Sequence, residues 1–60
     1  MGGDSLTGSR IRERRLMLGL RQADLAQEVE ISASYLNLIE HNRRRIGGQL
    51  LVALAQALGV

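Results

Sequence analysis

An all-α domain of four short helices is what this sequence predicts, on three observations. It contains no proline and one aromatic residue, Tyr35. Its leucines, isoleucines and valines recur every three to four residues, the period of a helix with one face against a core. Nowhere do apolar and polar residues alternate as a half-buried strand requires. Sixty residues make one domain, and a chain this short buries only about 60% of the surface its unfolded form exposes, so its stability should be modest.

Residues 1–8, rich in Gly, Ser, Asp and Thr, read as a flexible lead-in to a domain over residues 9–60. Ser9 or Thr7 supplies the first N-cap. The first helix then runs to about Leu18, with a core stripe of Ile11, the stem of Arg15, and Leu18. Leu16 and Met17 fall off that stripe, and Gly19 is placed to end the helix. The second helix spans about Gln22 to Val29 and buries Leu25, Ala26 and Val29. Ser32 caps the third, over about residues 33–41, and Ile31 at N′ is positioned to staple onto Leu36. Asn42 tolerates a left-handed end, and Arg43 to Gly48 form a loop. A fourth helix, about Gln49 to Leu58, turns Leu50, Leu51, Leu54, Ala55 and Leu58 inward, and Gly59 closes it.

Composition removes whole classes of function. Without cysteine there is neither a disulfide nor a thiolate metal site, and a single histidine, His41, cannot gather a metal cluster alone. No metal and no cofactor are expected. The longest apolar stretch, Leu50 to Ala55, is far below the roughly 18 residues of a membrane span. The first six residues carry neither a secretion signal nor a myristoylation site, so a cytoplasmic location is expected. There is no pair of acids about a pocket, no glycine-rich phosphate loop, and no acid placed to orient His41, so an enzyme is not expected.

The formal charge is only +2, but all eight basic residues are arginine. Arg10, Arg12, Arg14 and Arg15 form one group and Arg43, Arg44 and Arg45 another, with Arg21 between. Arginine's planar fork suits phosphates and guanine edges better than lysine's point charge. Placing residues 33–41 at 100° intervals puts Ala33, Ser34, Asn37, Leu38 and His41 within an arc of about 140°. Tyr35, Leu36, Ile39 and Glu40 fill the other side. The first face suits a recognition helix in a major groove: Ser34 can bond a base edge, Asn37 can pair with adenine through two bonds, and Ala33 or Leu38 can meet a thymine methyl. Any amphipathic surface helix shows such a split, so the solvated-face alternative stands at this point.

Two short helices about three residues apart, the second followed at once by three arginines, resemble the helix-turn-helix of phage-repressor, or Cro-like, transcription regulators. The resemblance runs from Ile11 to Val60. It is carried by Ile11, Arg15, Gly19-Leu20, Gln22, Leu25-Ala26, Val29, Ile31-Ser32, Ile39-Glu40, Leu54-Ala55 and Leu58-Gly59-Val60. In detail, Ser34-Tyr35-Leu36-Asn37, Ile39-Glu40-His41-Asn42 and the arginines after them look like the N-terminal domain of bacterial regulators of short-chain fatty-acid metabolism.

The resemblance implies double-stranded DNA as partner, a homodimer, and a place at the nucleoid. It puts base contacts at Ala33, Ser34, Asn37 and Leu38. Phosphate contacts fall to Gln22 at the start of the second helix, to Arg21, and to His41, Arg43 and Arg45. It pairs Arg15 with Glu40 in a buried structural ion pair. Three departures stand out. Glu30 replaces the usual turn glycine, where a left-handed residue costs on the order of 1 kcal/mol. Arg21 replaces a hydroxyl cap, at roughly 1 kcal/mol. Ile46-Gly47-Gly48 stands where a proline is common.

The family's fifth helix is also missing from this sequence, which would leave apolar surface around Leu16, Met17 and Val60 uncovered. A larger regulator with a C-terminal effector-binding region, or a domain that pairs through this surface, would account for it. A protein-interaction module built on the same four helices is the competing function.

Overall fold

A computed structural model describes residues 7–59. Four helices follow one another: α1 (Gly8–Met17), α2 (Gln22–Glu28), α3 (Ala33–Glu40) and α4 (Gly48–Leu58). No strand occurs among the described residues. Helix α3 packs against both α1 and α2, and α4 packs against α1. Every helix contributes to the core, which consists of Ile11, Leu25, Ala26, Leu36, Ile39, Leu54 and Leu58. Val29, Ile31, Tyr35, Ile46, Leu50 and Ala57 close around it.

Helix α1 starts earlier than its composition suggests. Thr7 is the N-cap and its hydroxyl accepts from the Arg10 N–H at 3.4 Å. Gly8 is already helical and buried, so the boundary after residue 8 falls inside the first turn; residues 1–6 of the expected lead-in lie outside the described residues. A side chain at position 8 has no room. A Cβ there would lie 1.9 Å from the Ile39 carbonyl oxygen and 2.7 Å from Asn42 Oδ1. The glycine lets the start of α1 approach the end of α3, and its N–H donates to Asn42 Oδ1 at 3.1 Å.

Three helix ends share one device, a left-handed residue that folds the next N–H back on the last turn. At the end of α1, Gly19 (φ 72°) donates to the Leu16 carbonyl and Leu20 to that of Arg15. At the end of α2, Glu30 (φ 62°) donates to Gln27 and Ile31 to Ala26. At the end of α3, Asn42 (φ 59°) donates to Ile39 and Arg43 to Leu38. The α2–α3 turn therefore keeps its left-handed residue although glutamate occupies it.

Leu18 corrects the expected core stripe. It is the C-cap of α1 and remains 45% exposed, because the chain reverses at Gly19 before a neighbouring helix reaches it. Leu16 and Met17 are exposed as their positions imply; Val60 lies outside the described residues. Helix α4 begins one residue before the expected Gln49, with Gly47 as N-cap. Of its inward residues, Leu54 and Leu58 are buried while Leu50, Leu51 and Ala55 are half-buried. Ile46 packs on the core and pins the arginine loop that precedes it. No helix among the described residues is long and apolar enough to cross a membrane.

Candidate nucleic-acid interface

Helix α3 divides as its angular pattern requires. Leu36, Ile39 and Glu40 are buried and Tyr35 is half-buried. Ala33, Ser34, Asn37 and His41 are exposed, and Leu38 is half-buried beside them. Ser32 fixes the start of the helix, its hydroxyl accepting from the Tyr35 N–H at 3.0 Å. The face of small and polar residues thus stands clear of the core, on a helix held on both flanks by α1 and α2.

Glu40 anchors that helix from inside. Its Oε2 accepts from Arg15 Nε at 2.7 Å and its Oε1 from Arg15 Nη2 at 3.0 Å, a bidentate ion pair. Arg15 Nη1 also donates to the Leu20 carbonyl at 2.8 Å. Glu40 is 2% exposed and Arg15 7%. Burial pushes the Glu40 carboxyl up, but hydrogen bonds from Arg15 and Gln22 and the charges of Arg15 and Arg12 outweigh it and hold the group below the usual carboxylate range. The same carboxylate raises Arg15, through its hydrogen bond first.

Gln22, at the first position of α2, faces this pair. Its Nε2 donates to Glu40 Oε1 at 3.0 Å and to Asn37 Oδ1 at 3.1 Å. Both amide protons are therefore engaged within the domain, whereas the family resemblance implies a phosphate contact for this side chain. Arg21 is likewise occupied. Its Nε and Nη2 bond the Asp24 carboxylate at 3.1 and 3.2 Å, and Asp24 accepts the Arg21 backbone N–H at 3.1 Å. Arginine has no acceptor to cap α2, so Asp24 reaching back compensates for the absent hydroxyl. The pair raises Arg21 and lowers Asp24, in each case chiefly through the side-chain hydrogen bond.

His41 closes α3 with Nδ1 at 2.8 Å from the Asn37 carbonyl. A carbonyl only accepts, so Nδ1 is the nitrogen that donates in this contact. Arg43, Arg44 and Arg45 are exposed on the loop beyond. The structure thus gathers Gln22, Asn37, Arg15 and Glu40 into one network, and pairs Arg21 with Asp24.

Two contributors have no signature in the sequence. Asn42 bridges α3 to α1, accepting from the Gly8 N–H and donating through Nδ2 to Ser9 Oγ at 3.1 Å. Arg14, grouped by sequence with a basic cluster, donates from Nε to the Leu58 carbonyl at 3.0 Å and satisfies the end of α4. In the sequence Asn42 reads only as a residue that tolerates a left-handed helix end, and Arg14 only as one of a basic group. Among the described residues, no three His, Cys, Asp or Glu side chains gather as a metal site would need.

The helix-turn-helix family profile matches residues 11–60. The chain is 47% identical over 53 residues to the HTH-type transcriptional regulator RamB of Mycobacterium tuberculosis, covering 88% of this chain and 11% of that protein. It is 42% identical over 53 residues to the propionyl-CoA carboxylase regulator of Cereibacter sphaeroides, covering 88% and 12%. An uncharacterized transcriptional regulator in the ATPase CF(0) region of Rhodospirillum rubrum is 37% identical over 57 residues, covering 95% and 53%. The chain spans about a tenth of the length of the first two of these relatives. No solved structure matches it. With five-sixths of its length inside the family profile and α2 and α3 joined by the expected turn, the chain belongs to the helix-turn-helix family of transcription regulators.

Proposed function

We propose that this domain binds duplex DNA sequence-specifically, with α3 in the major groove. The observation that carries the reading is the outward face of α3: Ala33, Ser34 and Asn37 are exposed at the end of the helix that reaches base edges, while the opposite face is locked into the core. Ser34 and Asn37 supply hydrogen bonds to bases, and Ala33 and Leu38 supply apolar contact with thymine methyls. Arg43, Arg45 and His41 meet phosphates flanking the groove. Arg21 joins them by exchanging Asp24 for phosphate, and Gln22 would have to give up Asn37 and Glu40 to do the same.

The base-reading set is poor in long donors, so direct readout is modest and DNA shape supplements it. The domain acts as a homodimer on half-sites about one helical turn apart, in the cytoplasm at the nucleoid. It serves a larger regulator with a C-terminal effector-binding region, and the relative named as a propionyl-CoA carboxylase regulator supports a role in short-chain fatty-acid metabolism. No catalytic activity is assigned to it.

Selection from random duplexes with the wild-type chain, Asn37→Ala and Arg43→Ala tests the groove assignment. Asn37→Ala should relax preference at one defined base pair, and Arg43→Ala should weaken all sequences alike. If neither changes binding, α3 does not occupy the groove.

A further inference from the structure

We propose that Asn37 reads guanine, not adenine, because Gln22 holds its amide with the oxygen turned inward and only the Nδ2 donor left for the groove. The inference rests on α3 lying in the major groove. It follows from the direction of the protons in the network around Glu40. An ionised carboxylate accepts and cannot donate. Arg15 occupies both Glu40 oxygens from one side, and the Gln22 amide approaches Oε1 at 3.0 Å from another. The Gln22 atom facing Glu40 must therefore be the nitrogen. Its second proton points to Asn37 at 3.1 Å, and only an oxygen can receive it. The Asn37 amide is thereby oriented, with Oδ1 toward Gln22 and Nδ2 away from it.

That orientation changes which base edge Asn37 complements. Adenine presents an acceptor, N7, beside a donor, N6, and an asparagine matches it by offering nitrogen and oxygen together. Guanine presents two adjacent acceptors, N7 and O6, for the two Nδ2 protons, whereas adenine N7 and thymine O4 each offer a single acceptor. The buried ion pair thus reaches the surface through one glutamine. Arg15 fixes Glu40, Glu40 fixes Gln22, and Gln22 sets the polarity that Asn37 shows to DNA. Gln22 is a positioning residue in this scheme, with no proton left over for a phosphate.

The test uses the 60-residue chain and duplexes selected for binding to it. The base pair at which Asn37→Ala loses preference is located first, and each of the four pairs is then placed there. Wild type should prefer guanine over adenine by on the order of tenfold. Gln22→Met keeps the length of the side chain but removes the donor, freeing the Asn37 amide to turn. It should bring guanine and adenine to within about twofold of each other, while the salt dependence of binding stays as in wild type. A merely structural role for Gln22 would lower affinity for every duplex and leave the preference intact.

A wild-type preference for any base other than guanine overturns the proposal, as does an undiminished guanine preference in Gln22→Met. If Gln22→Met does not fold, the wild-type preference decides alone. No pair relaxed by Asn37→Ala also overturns it, with DNA binding still standing; absence of binding to any duplex instead overturns the functional reading beneath it.

Discussion

Arg15 and Glu40, 25 residues apart in the chain, meet through two parallel bonds, Nε to Oε2 at 2.7 Å and Nη2 to Oε1 at 3.0 Å. The pair joins α1 to the last turn of α3 in a nearly dry environment. Removing one partner leaves a buried charge unmatched, which typically costs about 3–5 kcal/mol. For a domain of this size that is a large share of the total. Glu40→Ala should therefore lower the thermal midpoint steeply, and Arg15→Met with Glu40→Leu together should lose less than the two single changes summed. An unchanged midpoint for Glu40→Ala would remove the pair from the account of stability.

Acid should weaken the same contact. Burial works against the Glu40 charge, yet Arg15 and Gln22 hold the carboxyl below its ordinary value. With the folded pKa below the unfolded one, the unfolded chain binds the proton first as pH falls. The contribution is complete at neutral pH, begins to fall near the ordinary glutamate value of about 4.3, and is lost as pH drops through the folded value. Carbon-13 titration of the Glu40 carboxyl should give a midpoint below that ordinary value, and a midpoint above it would reverse the sign.

Glu30 sits at φ 62° in the turn between α2 and α3. A left-handed residue with a Cβ carries a penalty of roughly 1–2 kcal/mol that glycine avoids. Glycine's greater freedom in the unfolded chain offsets part of that gain. Glu30→Gly should stabilise the domain by on the order of 1 kcal/mol, a rise of about 4–8 °C in Tm for a domain this small. A fall in Tm would mean that the Glu30 side chain makes a compensating contact.

Gly8 is a different case, since its backbone is ordinary helix and its constraint is space. The Cβ of Gly8→Ala would fall 1.9 Å from the Ile39 carbonyl oxygen. Either α1 shifts away from α3 or the hydrogen bond to Asn42 breaks. A loss of about 1–3 kcal/mol, the usual range for overpacking, is expected in chemical denaturation. Neutral behaviour would show that the two helix ends separate freely.

These positions also show how far sequence carries. The helices, the Ser32 cap and the left-handed ends at Gly19, Asn42 and Gly59 follow from local spacing and turn chemistry, which neighbouring residues determine. Local sequence leaves Ser9 and Thr7 as alternative caps of α1, and the structure selects Thr7. Arg15 and Glu40 as partners came from resemblance, since nothing local links residues 25 apart. Gly8 looked like part of a polar, glycine-rich lead-in because its role depends on where Ile39 and Asn42 lie. Leu18 has the right spacing for the core but stands where α1 runs out of neighbours. Arg14 and Gln22 carry polar groups whose partners, the Leu58 carbonyl and the Asn37–Glu40 pair, are set by helix packing alone. The face of α3 was legible because periodicity fixes which residues share a side; the orientation of the Asn37 amide was not, because it depends on a proton donated from another helix.

The central claim, that this helix-turn-helix engages duplex DNA through basic residues around α3, is tested most directly by measuring affinity against salt. If about four phosphates are neutralised, log affinity should fall against log salt with a slope near −3.6. Arg43→Ala should make that slope shallower by about one. Binding to duplex DNA with no dependence on salt, or tight salt-independent binding to a protein partner with none to DNA, would contradict the account.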